Sequence, residues 1–245
     1  MNLILIEASE VDVQGNAVLT GARARHIHDV LGAKPGTSIR VGVVNSLRGR
    51  GLVQEVTDSR VVLRCEFNED PPPAPRIDLL LALPRPKVMR RLWAQLSAIG
   101  VGRIILTNAA KVERAYFDSH VLKPEVYRPY LIEGLQQAQD TAVPEVSIRK
   151  QLKVLIEDEL DILFPYGGRL LADTSTWHRV RDLMFNDPNM RLLVAVGPEG
   201  GWTDYERDLF QRHGFKPVSM GPRTLRADTA CVSILAMLNE AITAG

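Results

Sequence analysis

The chain has 245 residues, 30 Lys/Arg against 29 Asp/Glu for a formal charge of +1, with 45% apolar and 24% charged residues. That composition excludes a disordered or low-complexity chain, and the length predicts one large domain or two smaller ones with a proper core. No apolar run approaches the ~18 residues a membrane helix needs, MNLILIEASE lacks a leader pattern, and the two cysteines, Cys65 and Cys231, cannot build a disulfide framework. A cytoplasmic protein with no membrane partner is expected.

Short β-branched runs come first, at Leu3–Glu7, Ser38–Val44, Leu52–Val56 and Arg60–Phe67, separated by Gly/Asn/Asp turns. One helix interrupts them: Thr20 can cap it, Ile27, Val30 and Leu31 share a face, and Gly32 ends it. This part reads as a small β-barrel with one helix. The sharpest compositional break follows, at Asn68-Glu69-Asp70-Pro71-Pro72-Pro73-Ala74-Pro75, where four of the fifteen prolines fall. Such a stretch favours a stiff, extended linker, which predicts a barrel over 1–70, a linker over 70–76 and a second domain over 76–245.

After the linker, strands and helices alternate. Ile77–Leu83 and Arg103–Thr107 read as buried strands flanking a helix striped by Val88, Leu92, Leu96 and Ile99. Further strands are expected at Arg169–Ala172, Leu192–Gly197 and Lys216–Met220, with helices near Glu125–Gln139, Thr176–Phe185, Thr203–His213 and Asp228–Ile242. The fold class is α/β, with a mostly parallel sheet covered on both faces.

Parallel sheets bind ligands outside the carboxyl ends of their strands. Three strand ends stand out here: Leu170-Leu171-Ala172-Asp173-Thr174, Val196-Gly197-Pro198-Glu199-Gly200-Gly201-Trp202, and Met220-Gly221-Pro222-Arg223-Thr224-Leu225-Arg226-Ala227-Asp228-Thr229-Ala230. Glycines there let a ligand approach bare backbone, and a following helix offers free N–H groups. Phosphate-loop, dinucleotide and nucleophile-elbow signatures are absent; neither Gly49-Arg50-Gly51 nor Gly100-Val101-Gly102 extends to G-x-G-x-x-G. His26 and His28 lack further ligands, so no metal site is expected.

GPEGG, the T-D-Y-E-R helix and MGPRTLRADTA together resemble the C-terminal half of the SPOUT superfamily. Within it they are similar to the ribosomal small-subunit methyltransferase E family, which methylates uridine N3 in 16S ribosomal RNA; ALPRPKVM at 82–89 and Val143-Pro144-Glu145 also fall where family motifs do. The resemblance implies a PUA-like, RNA-binding N-terminal barrel and a C-terminal SPOUT domain with a deep trefoil knot, acting as a homodimer on S-adenosyl-L-methionine. By position, Leu171, Ala172, Gly197, Pro198, Glu199, Gly200, Met220, Gly221, Leu225 and Arg226 would surround the cofactor, with Thr229 and Ala230 opening the last helix. A nearby carboxylate or His would take the N3 proton, Arg226 would stabilise the charge that develops, and Glu199 or Asp228 would orient Arg226 or the base. An ion pair between Glu199 and Arg226 that merely clamps the loops is the competing role.

Three positions depart from the family pattern: Asp140 where an arginine is expected, Ala98 for a glutamate, and Gly32 for another arginine. They motivate an alternative, a SPOUT-fold RNA-binding protein with an altered target or lost turnover; a phosphate-handling enzyme using GPEGG as an anion loop is a third reading. The net charge of +1 seems at odds with an RNA partner only as a total, since residues 84–114 hold seven basic residues and one acid. Arg85, Lys87, Arg90 and Arg91, with Arg23 and Arg25 in the first part, are the expected RNA contacts.

Overall fold

The computed structural model describes residues 3–185, 187 and 189–243. The chain divides into two compact units: residues 1–73 with 132–143, and residues 74–131 with 144–245. The division at 73/74 falls inside the proline run. The chain crosses between units twice more, so residues 132–143 belong with the first unit although they follow the linker.

The first unit is built on a five-stranded sheet. Its strands are β1 (Ile4–Ile6), β2 (Asn16–Thr20), β3 (Ser38–Val43), β4 (Arg48–Val56) and β5 (Arg60–Glu69), in the order β1-β3-β4-β5-β2. β1 and β3 run parallel, and the other pairs are antiparallel. Alternate residues of β4 and β5 face inward, so Val53, Val61 and Leu63 join Ile4, Ile6, Leu19, Ile39 and Val41 in one core. Gly49 sits at a register shift between β4 and β5, where a Cβ would lie 1.8 Å from the Glu66 carbonyl oxygen. The Gly49-Arg50-Gly51 run therefore serves close strand pairing.

A helical segment packs on this core, α1 (Gly21–Arg25), continuing as a π-turn over His26–Val30 with Ile27 buried. Thr20 stands at its N-cap without a side-chain cap bond. Gly32 follows at φ +58°, a left-handed conformation that closes the segment while Ala33 N donates to Ile27 O at 3.1 Å. A glycine at this position is thus a helix stop.

Residues 132–143 bring the end of α3 (Pro124–Ala138) and the following turn into the same unit. Leu135 packs with Leu3 and Leu5, and the amides of Leu3 and Leu5 donate to Gln136 O and Oε1, each at 3.1 Å. Gln139 takes φ +60°, and the buried Asp140 carboxylate accepts the amides of Thr141 and Ala142 at 2.6 and 3.0 Å. A carboxylate at 140 folds this turn, a task no arginine could perform.

The second unit holds a six-stranded parallel sheet of β6 (Ile77–Ala82), β7 (Val101–Thr107), β8 (Glu145–Arg149), β9 (Gly168–Ala172), β10 (Leu192–Val196) and β11 (Lys216–Val218), in the order β11-β9-β10-β6-β7-β8. Every residue of β6 and β10 is buried, so both faces of its centre are covered. Its helices are α2 (Pro86–Ala98), the first part of α3, α4 (Leu152–Val154) continuing through a π-turn into α5 (Leu160–Leu163), α6 (Asp204–Arg212) and α7 (Ala227–Thr243). α2 starts with Pro86 in its first turn and buries Met89, Leu92, Trp93 and Leu96; Ala98 is its exposed last residue. α7 buries Cys231, Ile234, Leu235, Leu238 and Ile242. Among the described residues, no helix is long and apolar enough to cross a membrane.

The helix expected over Thr176–Phe185 is corrected: only a 3₁₀ turn forms, at Val180–Asp182. The backbone just before it is engaged elsewhere, for Ser219 N donates to His178 O at 2.8 Å and Val180 N to Ser219 O at 3.2 Å. Groups bridged to a neighbouring strand cannot also close helical turns.

Candidate functional site at the carboxyl ends of three parallel strands

The second unit carries a cleft of about 530 Å³, within the usual range for a small-molecule site, at the carboxyl ends of β9, β10 and β11. Three loops form its walls: residues 173–175 after β9, 197–203 after β10, and 219–227 between β11 and α7. Apolar side chains of Val196, Val218, Met220 and Leu225 line it beside the carboxylates of Asp173 and Glu199.

Glycines shape the middle loop. A Cβ on Gly197 would stand 3.1 Å from the Trp202 ring, so glycine lets the buried indole lie close against the end of β10. Trp202 packs edge-on against Phe210 with centroids 4.8 Å apart. Gly201 N donates to Pro198 O at 2.8 Å, and Gly201 turns the chain at φ +67°.

The loop is then tied down from two sides. Thr203 caps α6, its hydroxyl accepting the Glu206 amide, while Glu206 Oε2 accepts the Thr203 amide at 2.8 Å. The other oxygen of this buried carboxylate accepts Ala110 N at 2.7 Å, and Lys111 Nζ donates to Gly200 O at 2.6 Å. The segment after β7 thus holds the GPEGG backbone in place. At the far wall, Arg207 donates to Trp202 O at 2.8 Å and approaches Asp173 at 3.8 Å.

Of the positions expected around a cofactor, the cleft brings together Ala172, Gly197, Pro198, Glu199, Gly200, Met220, Gly221, Leu225 and Ala230. Leu171 is fully buried within β9, paired to Ala195, and does not line the cleft; Arg226 and Thr229 are exposed just outside it. No ion pair joins Glu199 to Arg226 among the described residues. Asp228 instead gives its carboxylate to Arg91, at 2.7 Å. Sequence reasoning missed Lys111, Trp202, Glu206 and Arg207. The Thr203-x-x-Glu206 capping box was a readable signal for Glu206; nothing local marks Lys111, which reaches the loop across 89 residues.

The hydrogen bond from Arg91 holds the Asp228 carboxyl below the usual carboxylate range. A lowered native value means that the pair's contribution is present above the unfolded value of about 3.9 and is lost as pH falls through the native one. Arg91 is half-exposed, so the contribution is on the scale of a surface pair, under about 1 kcal/mol. Asp228→Asn is expected to lower stability by a constant amount from pH 7 down to about 5, and by less below about pH 4. Urea midpoints across that range check it; a deficit that persists undiminished in acid would count against the pair.

The expected RNA contacts fall into two kinds. Arg25, Arg85, Lys87, Arg90 and Arg91 are all exposed, but Arg90 donates to Tyr130 Oη at 2.6 Å and lies over its ring, and Arg91 pairs with Asp228. Arg23 pairs with Glu10 within the first unit, and its side chain is one-third exposed. Arg103, counted in the basic segment, is also structural, lying 3.2 Å from the buried Asp78. Among the described residues, no cluster of three or more His, Cys, Asp or Glu could hold a metal ion. Cys65 and Cys231 are buried, and burial pushes the Cys65 thiol up to about 11 and that of Cys231 higher still.

The chain matches a family model described as an RNA methyltransferase domain over residues 71–239. It is 33% identical to ribosomal RNA small subunit methyltransferase E of Treponema pallidum, over 97% of this chain and 90% of that protein. It is 24% identical to ribosomal RNA small subunit methyltransferase E 1 of Borreliella burgdorferi, over 95% of each. Among solved structures it resembles the Neisseria gonorrhoeae ribosomal RNA small subunit methyltransferase E bound to S-adenosyl methionine, with a TM-score of 0.77 at 19% identity, covering 98% of this chain and 97% of that one.

Proposed function

This chain belongs to the ribosomal RNA small subunit methyltransferase E family, and from that premise we propose that it transfers a methyl group from S-adenosylmethionine to N3 of a uridine in 16S ribosomal RNA. The observation that carries the reading is the cleft itself: three loops at the carboxyl ends of parallel strands, two of them carrying glycines, with apolar side chains and the carboxylates of Asp173 and Glu199 in one lining.

The lining fits the cofactor's chemistry. Val196, Val218, Met220 and Leu225 offer an apolar slot for an adenine. At Gly221, with φ +145°, nothing lies within 4 Å of where a Cβ would be, which leaves backbone open to a ligand. Asp173 and Glu199 favour a cationic sulfonium over a neutral product. When bound, the cofactor supplies an activated methyl electrophile, and the protein's task is to align the acceptor and manage its proton.

On this reading Glu199, in the cleft wall, takes the imide proton. Asp228 is committed to Arg91 and serves position instead. Arg226, exposed beside Leu225, stands where an incoming RNA supplies its charge, and stabilises the oxyanion at the uracil carbonyls. The finer architecture follows the same reading. The first unit is a PUA-like RNA-binding barrel, the loops around the cleft form a trefoil knot, and the enzyme acts in the cytoplasm as a homodimer. The exposed Arg25, Arg85 and Lys87 bind phosphates.

Titration calorimetry with S-adenosylmethionine is expected to give a Kd between about 1 μM and 1 mM, the scale of ordinary enzyme substrates. Mass mapping of 16S ribosomal RNA from a deletion strain is expected to lack one methyluridine, restored by the wild-type gene and not by Glu199→Gln. Cofactor binding with an unchanged RNA methylation pattern would instead favour a binding protein that has lost turnover.

A further inference from the structure

A second cleft of about 340 Å³ adjoins the first and shares Asp173, Ser175, Asp204 and Arg207 with it. Trp177 and His178 stand at it as a stacked pair, ring centroids 4.0 Å apart and 30° from parallel. Trp177 is 78% exposed, whereas Trp93 and Trp202 are buried. A large apolar ring left in water is unfavourable, and its backbone here is held by the bridge from Ser219 to His178 and Val180. The stack is thus an exposed flat surface on a fixed segment.

We propose that the Trp177–His178 stack is a nucleobase platform: it receives an unpaired base of the RNA that flanks the methylated nucleotide. The proposal rests on the RNA methyltransferase reading above. Modifying a ring nitrogen that takes part in base pairing requires the target base to leave its helix, and the neighbours it abandons need new stacking partners. Aromatic side chains supply that stacking for any base. The lining beside the platform favours a base over a phosphate. Asp173, Asp204 and Asp208 outweigh Arg207, which pairs with Asp173 and Asp204, so the lining repels an anion; Asp208 can accept a hydrogen bond from an exocyclic amino group, and the Gln211 amide can both donate and accept. Adenine, cytosine and guanine carry such a group, so one of these is the expected occupant.

Because Trp177 is the exposed tryptophan of the three, acrylamide quenching of intrinsic fluorescence reports on it selectively. The experiment uses the full chain with saturating S-adenosylmethionine and a single-stranded RNA fragment of 16S ribosomal RNA. Bound RNA is expected to shield the quenchable tryptophan, whereas cofactor alone does not. Trp177→Ala is expected to weaken RNA binding about tenfold or more while leaving cofactor affinity unchanged, with Trp177→Phe restoring most of it. RNA that binds wild type without shielding Trp177, or that binds Trp177→Ala equally well, overturns the platform. So does a Trp177→Ala protein that loses cofactor binding, or changes from dimer to monomer by light scattering, since the ring would then be a packing element. A wild-type chain that binds cofactor but no ribosomal RNA defeats the underlying reading instead.

Discussion

Asp78→Ala is expected to destabilise the folded chain by about 3 kcal/mol, at the lower end of what breaking a buried ion pair costs. Asp78 is the second residue of β6 and is 1% exposed, with Arg191 Nη2 at 2.7 Å and Arg103 Nη2 at 3.2 Å. The two arginines are 41% and 26% exposed in their side chains. They can turn toward water once the carboxylate is gone, which keeps the cost below that of a fully buried orphan charge. Gly102 makes room for the arrangement, for a Cβ there would meet Asp78 Oδ1 at 2.9 Å and Arg191 Nη2 at 3.2 Å. The cluster sits at the amino-terminal end of the parallel sheet, away from the cleft. Urea unfolding should therefore register the loss, while cofactor affinity of the folded protein stays at its wild-type value. A variant within about 0.5 kcal/mol of wild type, the range of an ordinary surface substitution, would show that the cluster is not a stability element.

What the sequence reveals follows the burial of each element. β6 and β10 are buried on both faces, so they read as continuous apolar runs and were legible. β8 is an edge strand of half-exposed residues, Glu145–Arg149, and carries no such run. β2 buries only alternate residues, Ala17 and Leu19, and so presents no long apolar run. The loops after β10 and β11 were legible through their glycines, Gly197, Gly200, Gly201 and Gly221, at the carboxyl ends of parallel strands. Lys111 was not, nor was the bond from Ala110 to Glu206: both arise where segments distant in sequence meet, and composition carries no trace of that meeting, although the capping box of Glu206 with Thr203 was readable. The tract at 176–185 misled in the opposite direction, its spacing suiting a helix while its backbone was already paired to Ser219.

Glu206→Ala is expected to have the larger functional effect, because it releases the loop on which the cleft depends. The carboxylate accepts three hydrogen bonds, from Ala110 N at 2.7 Å and from Thr203 N and Oγ1 at 2.8 Å each. Bonds to a charged acceptor contribute about 1.5–3 kcal/mol each, and the amides of Ala110 and Thr203 would have to find water instead. Removal is therefore expected to cost about 3–4 kcal/mol of stability and to free residues 197–203 from the segment after β7. Affinity for S-adenosylmethionine should fall by more than about tenfold, since a loop that must be ordered on binding draws that cost from the binding energy. Glu206→Gln keeps one carbonyl acceptor and should fall between the two, which separates loss of anchoring from loss of fold. The order of the three Kd values by calorimetry, each measured below the variant's unfolding temperature, is the check. If Glu206→Ala binds cofactor as tightly as wild type, the GPEGG loop holds its shape by its own turns, through Gly201, Pro198 and the Trp202–Phe210 packing, and the clamp contributes to stability alone.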